Sequence, residues 1–271
     1  MFVYAIVSLG AIGLFFGLVL AFASQVFYVE KDPKIEAISE FLPAANCGAC
    51  GYPGCGAFAE AVVKGEAGIS DCAPGGNDVA SKIADVLGVS AAESTEEYVA
   101  EVACMGGREY CDEQFVYHGI NDCRAAMMYA NGFKACDHGC LGLGTCVEVC
   151  NFGAITMGDN GIPIMDPDKC TGCNRCKNIC PKNVIRMINK KTKHHVRCNS
   201  KDKGKVVKRA CKIGCIGCGV CAKNCPEEAI TVEENLAYID SHTCTNCGKC
   251  IEKCPRDCIT DTLDFKTKAL S

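Results

Sequence analysis

The hydrophobic pattern of the chain changes sharply near residue 30. Residues 1–29 contain no charged side chain, and the first one is Glu30. A helix of about 20 apolar residues is long enough to cross the hydrocarbon core of a bilayer. A secretory signal peptide is the alternative, since residues 21–23 (Ala-Phe-Ala) resemble a cleavage site. However, no Lys or Arg precedes the run, and the run is long for a signal. We therefore expect a transmembrane anchor over residues 1–29.

Lys31 and Lys34 follow the apolar run directly, although Glu30 and Asp32 dilute their charge. Basic residues beside a membrane span favour the cytoplasmic side. The sequence therefore predicts a single-pass protein of the cell (inner) membrane, with the rest of the chain on the cytoplasmic side.

After residue 30 the apolar residues come in short runs separated by turn residues. The stretches AITMGDNGIPIMD (154–166) and AITVEENLAYID (229–240) each read as strand, turn and strand, which predicts two small β-hairpins. Residues 57–64 and 77–102 contain short helix-like runs. This is the pattern of an α+β chain built from small domains.

Cysteine content changes this picture. The chain has 26 Cys in 271 residues and no Trp, so it builds little conventional apolar core. Such a density indicates either a secreted disulfide scaffold or an intracellular metal protein. The formal net charge of −4 says little about partners.

Three stretches distinguish a metal protein from a disulfide scaffold, because all three have the same cysteine spacing. They are CTGCNRCKNICP (170–181), CIGCGVCAKNCP (215–226) and CTNCGKCIEKCP (244–255). Each is C-x2-C-x2-C-x3-C-P, the bacterial ferredoxin run that binds [4Fe-4S] clusters. A zinc ribbon would offer paired C-x2-C knuckles instead of triplets followed by a fourth Cys-Pro. A disulfide scaffold gives no reason for three identical spacings.

A fourth stretch, CDHGCLGLGTCVEVC (136–150), has gaps of three, five and three residues. The segment after it, AITM, falls where AITV follows the 215–226 repeat, and Asn151 replaces the Pro. We interpret this stretch as a fourth repeat whose first two gaps are longer.

Four repeats make two ferredoxin-like pairs, in which the fourth Cys of each motif binds the cluster of the other motif. The predicted ligands of the first pair are Cys136, Cys140 and Cys146 with Cys180, and Cys170, Cys173 and Cys176 with Cys150. Those of the second pair are Cys215, Cys218 and Cys221 with Cys254, and Cys244, Cys247 and Cys250 with Cys225.

A different motif lies upstream, in LPAANCGACGYPGC and the helix-like run after it. Cys47, Cys50 and Cys55 stand in a Gly-rich loop, and Cys72 follows the run. These four thiols could close around a single [4Fe-4S] cluster, with a four-Cys zinc site as the alternative. The sequence thus predicts five [4Fe-4S] clusters.

Six cysteines remain outside these sets, and we expect most of them to be buried structural residues. An additional cluster, or one shared with a membrane partner, is the alternative for those at 104–123. Cys258 aligns with Val184 and Ala229 of the other repeats, which predicts a small buried apolar role. The six are Cys104, Cys111, Cys123, Cys198, Cys211 and Cys258.

Charge is uneven along the chain. The segment 182–212, here called the basic segment, holds twelve Lys or Arg against one Asp, whereas 30–123 holds seventeen acidic against five basic residues. The basic segment is either a solvated hairpin and helix or a docking face that steers an acidic partner. We expect His194 and His195 to be solvated. The candidate docking residues are Lys190, Lys191, Lys193, Lys201, Lys203 and Lys205.

The run LPAANCGACGYPGC with its later Cys72 resembles the single-cluster domain shared by corrinoid iron–sulfur proteins and by the B subunit of the Rnf electron-transport complex. The order of membrane helix, that domain and a ferredoxin pair containing GCLGLGTC is similar to the Rnf B subunit, as is SKDKGKVVKRACKIGCIGC (200–218). The second pair resembles the longer members of this family. The match extends over essentially the whole chain.

The resemblance implies a subunit of an ion-translocating oxidoreductase of the ferredoxin:NAD type, with no complete active site on this chain. The implied role is to take electrons from reduced ferredoxin and pass them to membrane and flavin subunits. The implied partners are those subunits, soluble ferredoxin and the membrane, and no nucleic acid. A subunit of a complex that reduces a redox regulator, or of another membrane oxidoreductase, is the alternative.

The predicted fold class is α+β, with small metal-stapled domains after an N-terminal transmembrane helix. The predicted boundaries are 1–29 for the anchor, 30–76 for the single [4Fe-4S] domain, 77–130 for a short helical connector, 131–189 for the first ferredoxin-like pair, 190–212 for a basic hairpin or linker and 213–271 for the second pair.

Overall fold

The computed structural model describes residues 2–27, 32–90 and 97–261. Its helices are α1 (Phe2–Val26), α2 (Pro33–Phe41), α3 (Cys55–Lys64), α4 (Gly76–Leu87), α5 (Cys123–Met127), α6 (Thr145–Glu148), α7 (Arg175–Ile179), α8 (Gly204–Ala210), α9 (Val220–Lys223) and α10 (Lys249–Glu252). Its strands are β1 (Tyr98–Val102), β2 (Ile155–Met157), β3 (Pro163–Met165), β4 (Ile185–Asn189), β5 (His194–Val196), β6 (Ile230–Glu233), β7 (Leu236–Ile239) and β8 (Ile259–Asp261).

Helix α1 stands apart from the rest of the described chain. Its segment Ile6–Val26 has a mean hydropathy of 2.5 and buries none of its residues. With a rise of 1.5 Å per residue, the helix is about 37 Å long, which exceeds the hydrocarbon thickness of a bilayer. The helix could therefore span a membrane, as the sequence predicts.

Helices α2, α3 and α4 pack around one apolar core that contains Ile38, Phe58 and Ile83. Asp32 precedes helix α2 and caps it, since its carboxylate accepts the backbone N–H of Lys34 at 2.9 Å. The predicted single-cluster domain ends at residue 76, directly where α4 begins. Helix α4 belongs to this unit because its buried face completes the same core.

The two predicted hairpins are confirmed. Strand β2 pairs antiparallel with β3, so that Ile155 faces Met165. Strand β6 pairs antiparallel with β7, so that Ile230 faces Ile239. Each hairpin joins the two cysteine motifs of its pair.

The connector 77–130 differs from the prediction, since it supplies a strand as well as helices. Strand β1 pairs antiparallel with β4 of the first pair, from Tyr98 opposite Asn189 to Val102 opposite Ile185. The sequence of β1, YVAEV, is rich in residues that favour a pleated and half-buried surface. Four of its five residues are buried. Residues 91–96 of the predicted helical stretch lie outside the described part.

The basic segment also differs from the prediction. Strand β5 pairs antiparallel with β8 of the second pair, and this pairing buries His194 and His195 to 7% exposure each. Both histidines were expected to be solvated, so that prediction is wrong. Burial and the nearby Arg197 guanidinium lower the pKa of His195 to about 4, which keeps its ring neutral at physiological pH.

A buried ion pair links the two ferredoxin-like pairs. The Arg197 Nη1 atom, beside β5, lies 2.9 Å from Glu101 Oε1 on β1, and both residues are less than 5% exposed. The guanidinium also donates to the carbonyl of Val102 and to Thr260 Oγ1, both at 3.3 Å. Burial raises the pKa of Glu101 to about 7, and the charge of Arg197 partly offsets this rise. One side chain thus joins β1 of the first pair to β8 of the second.

Candidate iron–sulfur sites

Many of the cysteines line cavities of similar size. Five such cavities have about 320 to 400 Å³ of empty space each, counting the part that is open to solvent. Within the described part of the chain, no three His, Cys, Asp or Glu residues are grouped so that they could hold a single metal ion. The thiols therefore surround spaces instead of converging on one point.

The N-terminal site combines the four cysteines predicted for it. Cys47, Cys50, Cys55 and Cys72 line one cavity between the 42–50 loop and the start of α3. The Asn46 side chain accepts the backbone N–H of Cys55 at 2.9 Å and so fixes the loop to the helix. Gly75 is required beside Cys72, because a Cβ atom there would lie 3.1 Å from Cys72 Sγ and 2.7 Å from Val79 Cβ.

The Cys170 site also combines the residues predicted for it. Cys150, Cys170, Cys173 and Cys176 line one cavity. The sulfur of Cys170 accepts the N–H of Ala100 at 3.3 Å, and that of Cys150 accepts the N–H of Ala154 at 3.4 Å. Such N–H groups directed at sulfur stabilise thiolate and tune a bound cluster.

The Cys215 site contains Cys215, Cys218, Cys221 and Cys254, with Cys258 as a fifth thiol in the cavity wall. Cys258 is 2% exposed, close to the values of Val184 and Ala229, so its predicted buried position is confirmed. Its sulfur lies 3.6 Å from Cys254 Sγ. Hydrogen bonding to Cys258 lowers the pKa of Cys215 and of Cys254 to about 6.

The Cys244 site is formed by the other half of the second pair. Cys250 and Cys225 pack in the same core cluster as the Cys215 site, and Cys247 is exposed. Burial, and then the charge of Cys244, raise the pKa of Cys250 to about 11.

The Cys140 site departs from the predicted ligand set. Its cavity is lined by Cys140, Cys146, Cys180 and Cys123, whereas Cys136 lines a different cavity. Cys123 is the first residue of α5, and its backbone N–H donates to Thr145 Oγ1 at 2.7 Å. Burial raises the pKa of Cys146 to about 12, with further contributions from Cys123 and Cys180.

The spacing of the fourth repeat explains this difference. Counted from Cys140, gaps of two, two and three residues lead to Leu143, Cys146 and Cys150. The repeat therefore keeps the regular spacing, and Leu143 occupies the position of the second cysteine. Leu143 packs in the same apolar cluster as Cys123. Sequence reasoning missed Cys123, although the leucine at a ligand position was a signal that the fourth thiol comes from elsewhere.

The donor sets fit iron–sulfur clusters. At four of these sites at least four thiols line one cavity, and thiolate sulfur is the ligand of [4Fe-4S] clusters. Burial raises the pKa of several of the thiols, Cys72 and Cys176 among them. Metal binding must therefore displace their protons, which couples loading of the sites to folding.

Family models match the same regions. A model described as a putative Fe-S cluster covers residues 42–74. A 4Fe-4S dicluster model matches twice, over residues 135–184 and 214–258, and a second 4Fe-4S dicluster model covers residues 169–230.

The chain is also similar to whole proteins. It is 43% identical over 240 residues to the B subunit of the ion-translocating oxidoreductase complex of Methanosarcina acetivorans, and the match covers 89% of this chain and 90% of that one. It is 43% identical to the B subunit of the Na⁺-translocating ferredoxin:NAD⁺ oxidoreductase complex of Acetobacterium woodii, over 87% of this chain and 71% of that one.

A third relative is the B subunit of the proton-translocating ferredoxin:NAD⁺ oxidoreductase complex of Clostridium ljungdahlii. It is 46% identical over 88% of this chain and 84% of its own length. On these similarities the chain belongs to the B-subunit family of ion-translocating oxidoreductase complexes, the Rnf type.

Proposed function

We propose that this chain is the membrane-anchored electron-relay subunit of an ion-translocating ferredoxin:NAD oxidoreductase. It would receive electrons from reduced ferredoxin and deliver them to the membrane and flavin subunits. The five sites described above would hold five [4Fe-4S] clusters, which supply one-electron transfer when they are bound. In this proposal Cys123 replaces Cys136 at the Cys140 site.

The proximity of successive sites is the observation that carries the proposal. Cys47 of the N-terminal site lies close enough to Cys173 for its charge to help raise the pKa of Cys173, after burial. Asn151, which follows Cys150 of the Cys170 site, donates its Nδ2–H to the carbonyl of Ala45 in the wall of the N-terminal site at 3.4 Å. Within the first pair, the charge of Cys176 acts on Cys146 in the same way. This proximity of thiols from neighbouring sites supports electron transfer between them.

The membrane and the ferredoxin are assigned to opposite parts of the chain. Helix α1 would anchor the subunit beside its membrane partners. The basic segment would dock the ferredoxin, since soluble ferredoxins are typically acidic. Lys190 lies 3.6 Å from both Glu97 and Asp168, and Lys201 pairs with Glu234, so these two lysines are partly neutralised. The exposed charges of α8 remain for docking, and they are Lys203 at its N-cap, Lys205, Lys208 and Arg209.

Anaerobic stopped-flow mixing with reduced ferredoxin tests the relay. The full-length chain in detergent, with its clusters assembled, should be reduced by ferredoxin as followed by bleaching of the cluster absorbance. A chain that dithionite reduces but that reduced ferredoxin leaves oxidised would contradict the proposal.

Charge reversal tests the docking face. The variant Lys205→Glu/Lys208→Glu should lower the rate of reduction by about tenfold or more at low salt, and the difference should shrink as salt screens the charges. Lys82→Glu, on the exposed face of α4, is the matched control and should leave the rate unchanged. Equal rates for both variants would remove the basic segment from the docking role.

A further inference from the structure

The remaining one of the five cavities, here called the further cavity, is lined by five cysteines that belong to none of the sites above. They are Cys104, Cys111, Cys136, Cys198 and Cys211. The cavity has about 370 Å³ of empty space, within the range of the cavities at the other sites. No family model covers Cys104 or Cys111, whereas Cys198 and Cys211 fall within the dicluster model that matches residues 169–230.

Three distant segments of the chain bring these thiols together. Cys104 follows β1 by two residues, and Cys111 forms an isolated antiparallel bridge with Cys211 at the end of α8. Gly106 lies among all three. A Cβ atom there would lie 3.6 Å from Cys104 Sγ, 3.5 Å from Cys211 Sγ and 3.3 Å from Cys111 Cβ. The backbone thus leaves open a space that a larger residue would fill.

Cys136 supplies the fourth thiol. Burial raises the pKa of Cys136 to about 11, and the charges of Cys104 and Cys211 contribute to the rise, which places its sulfur near theirs. Because Cys123 completes the Cys140 site, Cys136 is available here. Relative to the predicted ligand set, Cys123 has therefore taken the place of Cys136 at the Cys140 site, and Cys136 lines this cavity instead.

Positive charge surrounds the cavity. Lys134 is 4% exposed, and its Nζ atom donates to the carbonyl of Gly106 at 2.6 Å. Arg256 Nη2 donates to the carbonyl of Cys211 at 2.7 Å, and Arg197 lies in the wall. A buried lysine without a negative partner is costly. Four thiolates around an iron–sulfur core carry net negative charge, so a bound cluster would supply that partner.

Cys198 is directed elsewhere. Its sulfur accepts the backbone N–H groups of Ser200 and Cys215, which lower its pKa against the larger effect of burial. These two N–H groups hold the Cys198 sulfur in the cavity wall, so Cys198 is not assigned as a ligand. On the other side of the cavity, the backbone N–H of Cys140 donates to Cys104 Sγ at 3.4 Å. The cavity thus lies between the Cys140 site of the first pair and the Cys215 site of the second.

We propose that Cys104, Cys111, Cys136 and Cys211 hold a sixth [4Fe-4S] cluster between the two ferredoxin-like pairs. A redox centre at this position would connect the pairs, which otherwise meet through β1, β5 and the Arg197–Glu101 contact. The proposal concerns cluster binding alone and does not depend on ferredoxin being the donor.

The test is the metal content of the full-length chain, assembled and purified anaerobically. The wild type should contain about 24 Fe and about 24 acid-labile sulfides, and Cys111→Ala/Cys211→Ala should contain about 20 of each. The EPR spectrum of the reduced variant should lose one cubane component and keep the others. Cys198→Ala is the matched control, and it should retain about 24 Fe.

Other outcomes overturn the proposal. About 20 Fe in the wild type, with or without one Zn, excludes a sixth cluster and needs no variant to fold. A Cys111–Cys211 disulfide detected by mass spectrometry in the iron-loaded chain makes the cavity a thiol–disulfide site instead. A loss of about 4 Fe in Cys198→Ala contradicts the assigned ligand set. If the wild type holds about 20 Fe and ferredoxin still reduces it, the relay function stands and only the sixth site fails.

Discussion

The two ferredoxin-like pairs have similar hairpins but obtain their cysteines differently. In the second pair every predicted ligand comes from the two local motifs, Cys215–Cys225 and Cys244–Cys254. In the first pair, Leu143 stands where a ligand is expected, and Cys123 from the preceding segment lines the cavity in its place. A local motif thus determines its own site when it is complete. When one thiol of the motif is missing, the fold brings another from the preceding segment to the same cavity.

The same contrast appears in the outer strands. Each pair is extended by a strand from outside its motifs, since β1 pairs with β4 and β5 pairs with β8. These added strands bring Glu101 and Arg197 together and end near the further cavity. The segments between the motifs therefore do more than connect, because they supply thiols, strands and the buried contact between the pairs.

The largest expected effect is the loss of a whole site. Cys218→Ser in the second pair and Cys123→Ser in the first should each lower the iron content by about 4 Fe, because both remove one of four thiolate ligands. Iron and acid-labile sulfide analysis of anaerobically assembled protein measures this. If Cys123→Ser retained full iron while Cys218→Ser lost it, the first pair would not use Cys123.

The next largest effect concerns the contact between the pairs. Arg197→Met leaves the Glu101 carboxylate buried without its partner, which costs about 3–5 kcal/mol. Iron release in urea should therefore begin at a clearly lower urea concentration than in the wild type.

Lys201→Met is the matched control for that variant, because it removes an ion pair with Glu234 in which Lys201 is 51% exposed. Exposed pairs contribute about 1 kcal/mol or less, so this variant should release iron nearly as the wild type does. Equal shifts for the two variants would show that the buried contact has no special role.

A smaller effect should come from the anchor of Cys123. Thr145→Val removes the hydroxyl that accepts the Cys123 N–H and should cost about 1 kcal/mol. Iron should leave the first pair sooner during chelation, with the second pair unaffected. Thr156→Val, at an exposed position of β2, should behave like the wild type, and a similar change in both variants would show that the bond to the Cys123 N–H has no special role.

The parts of the fold that follow from local spacing could be predicted from the sequence. The repeats predict both hairpins and the burial of Cys258, because a short loop around a cluster permits few backbone paths. The apolar run predicts α1 from length and charge alone.

Long-range choices could not be predicted in this way. Strand β1 pairs with β4 across about 90 residues of chain, and His194 is buried only because β8 lies beside β5. Both events depend on tertiary packing, which overrides the polar character of the basic segment. Cys123 was missed for the same reason, since its role depends on a helix start that no motif marks.

The most direct test of recruitment is to restore the missing cysteine. Leu143→Cys should return about 4 Fe to the Cys123→Ser variant, because the motif at 140–150 then has the regular C-x2-C-x2-C-x3-C spacing. It should not restore iron to Cys136→Ser, whose thiol serves a different cavity. Iron analysis of the two double variants and of the two single variants therefore tests whether Cys123 or Cys136 belongs to the Cys140 site. Recovery in the Cys136→Ser background, or no recovery in the Cys123→Ser background, would contradict the account.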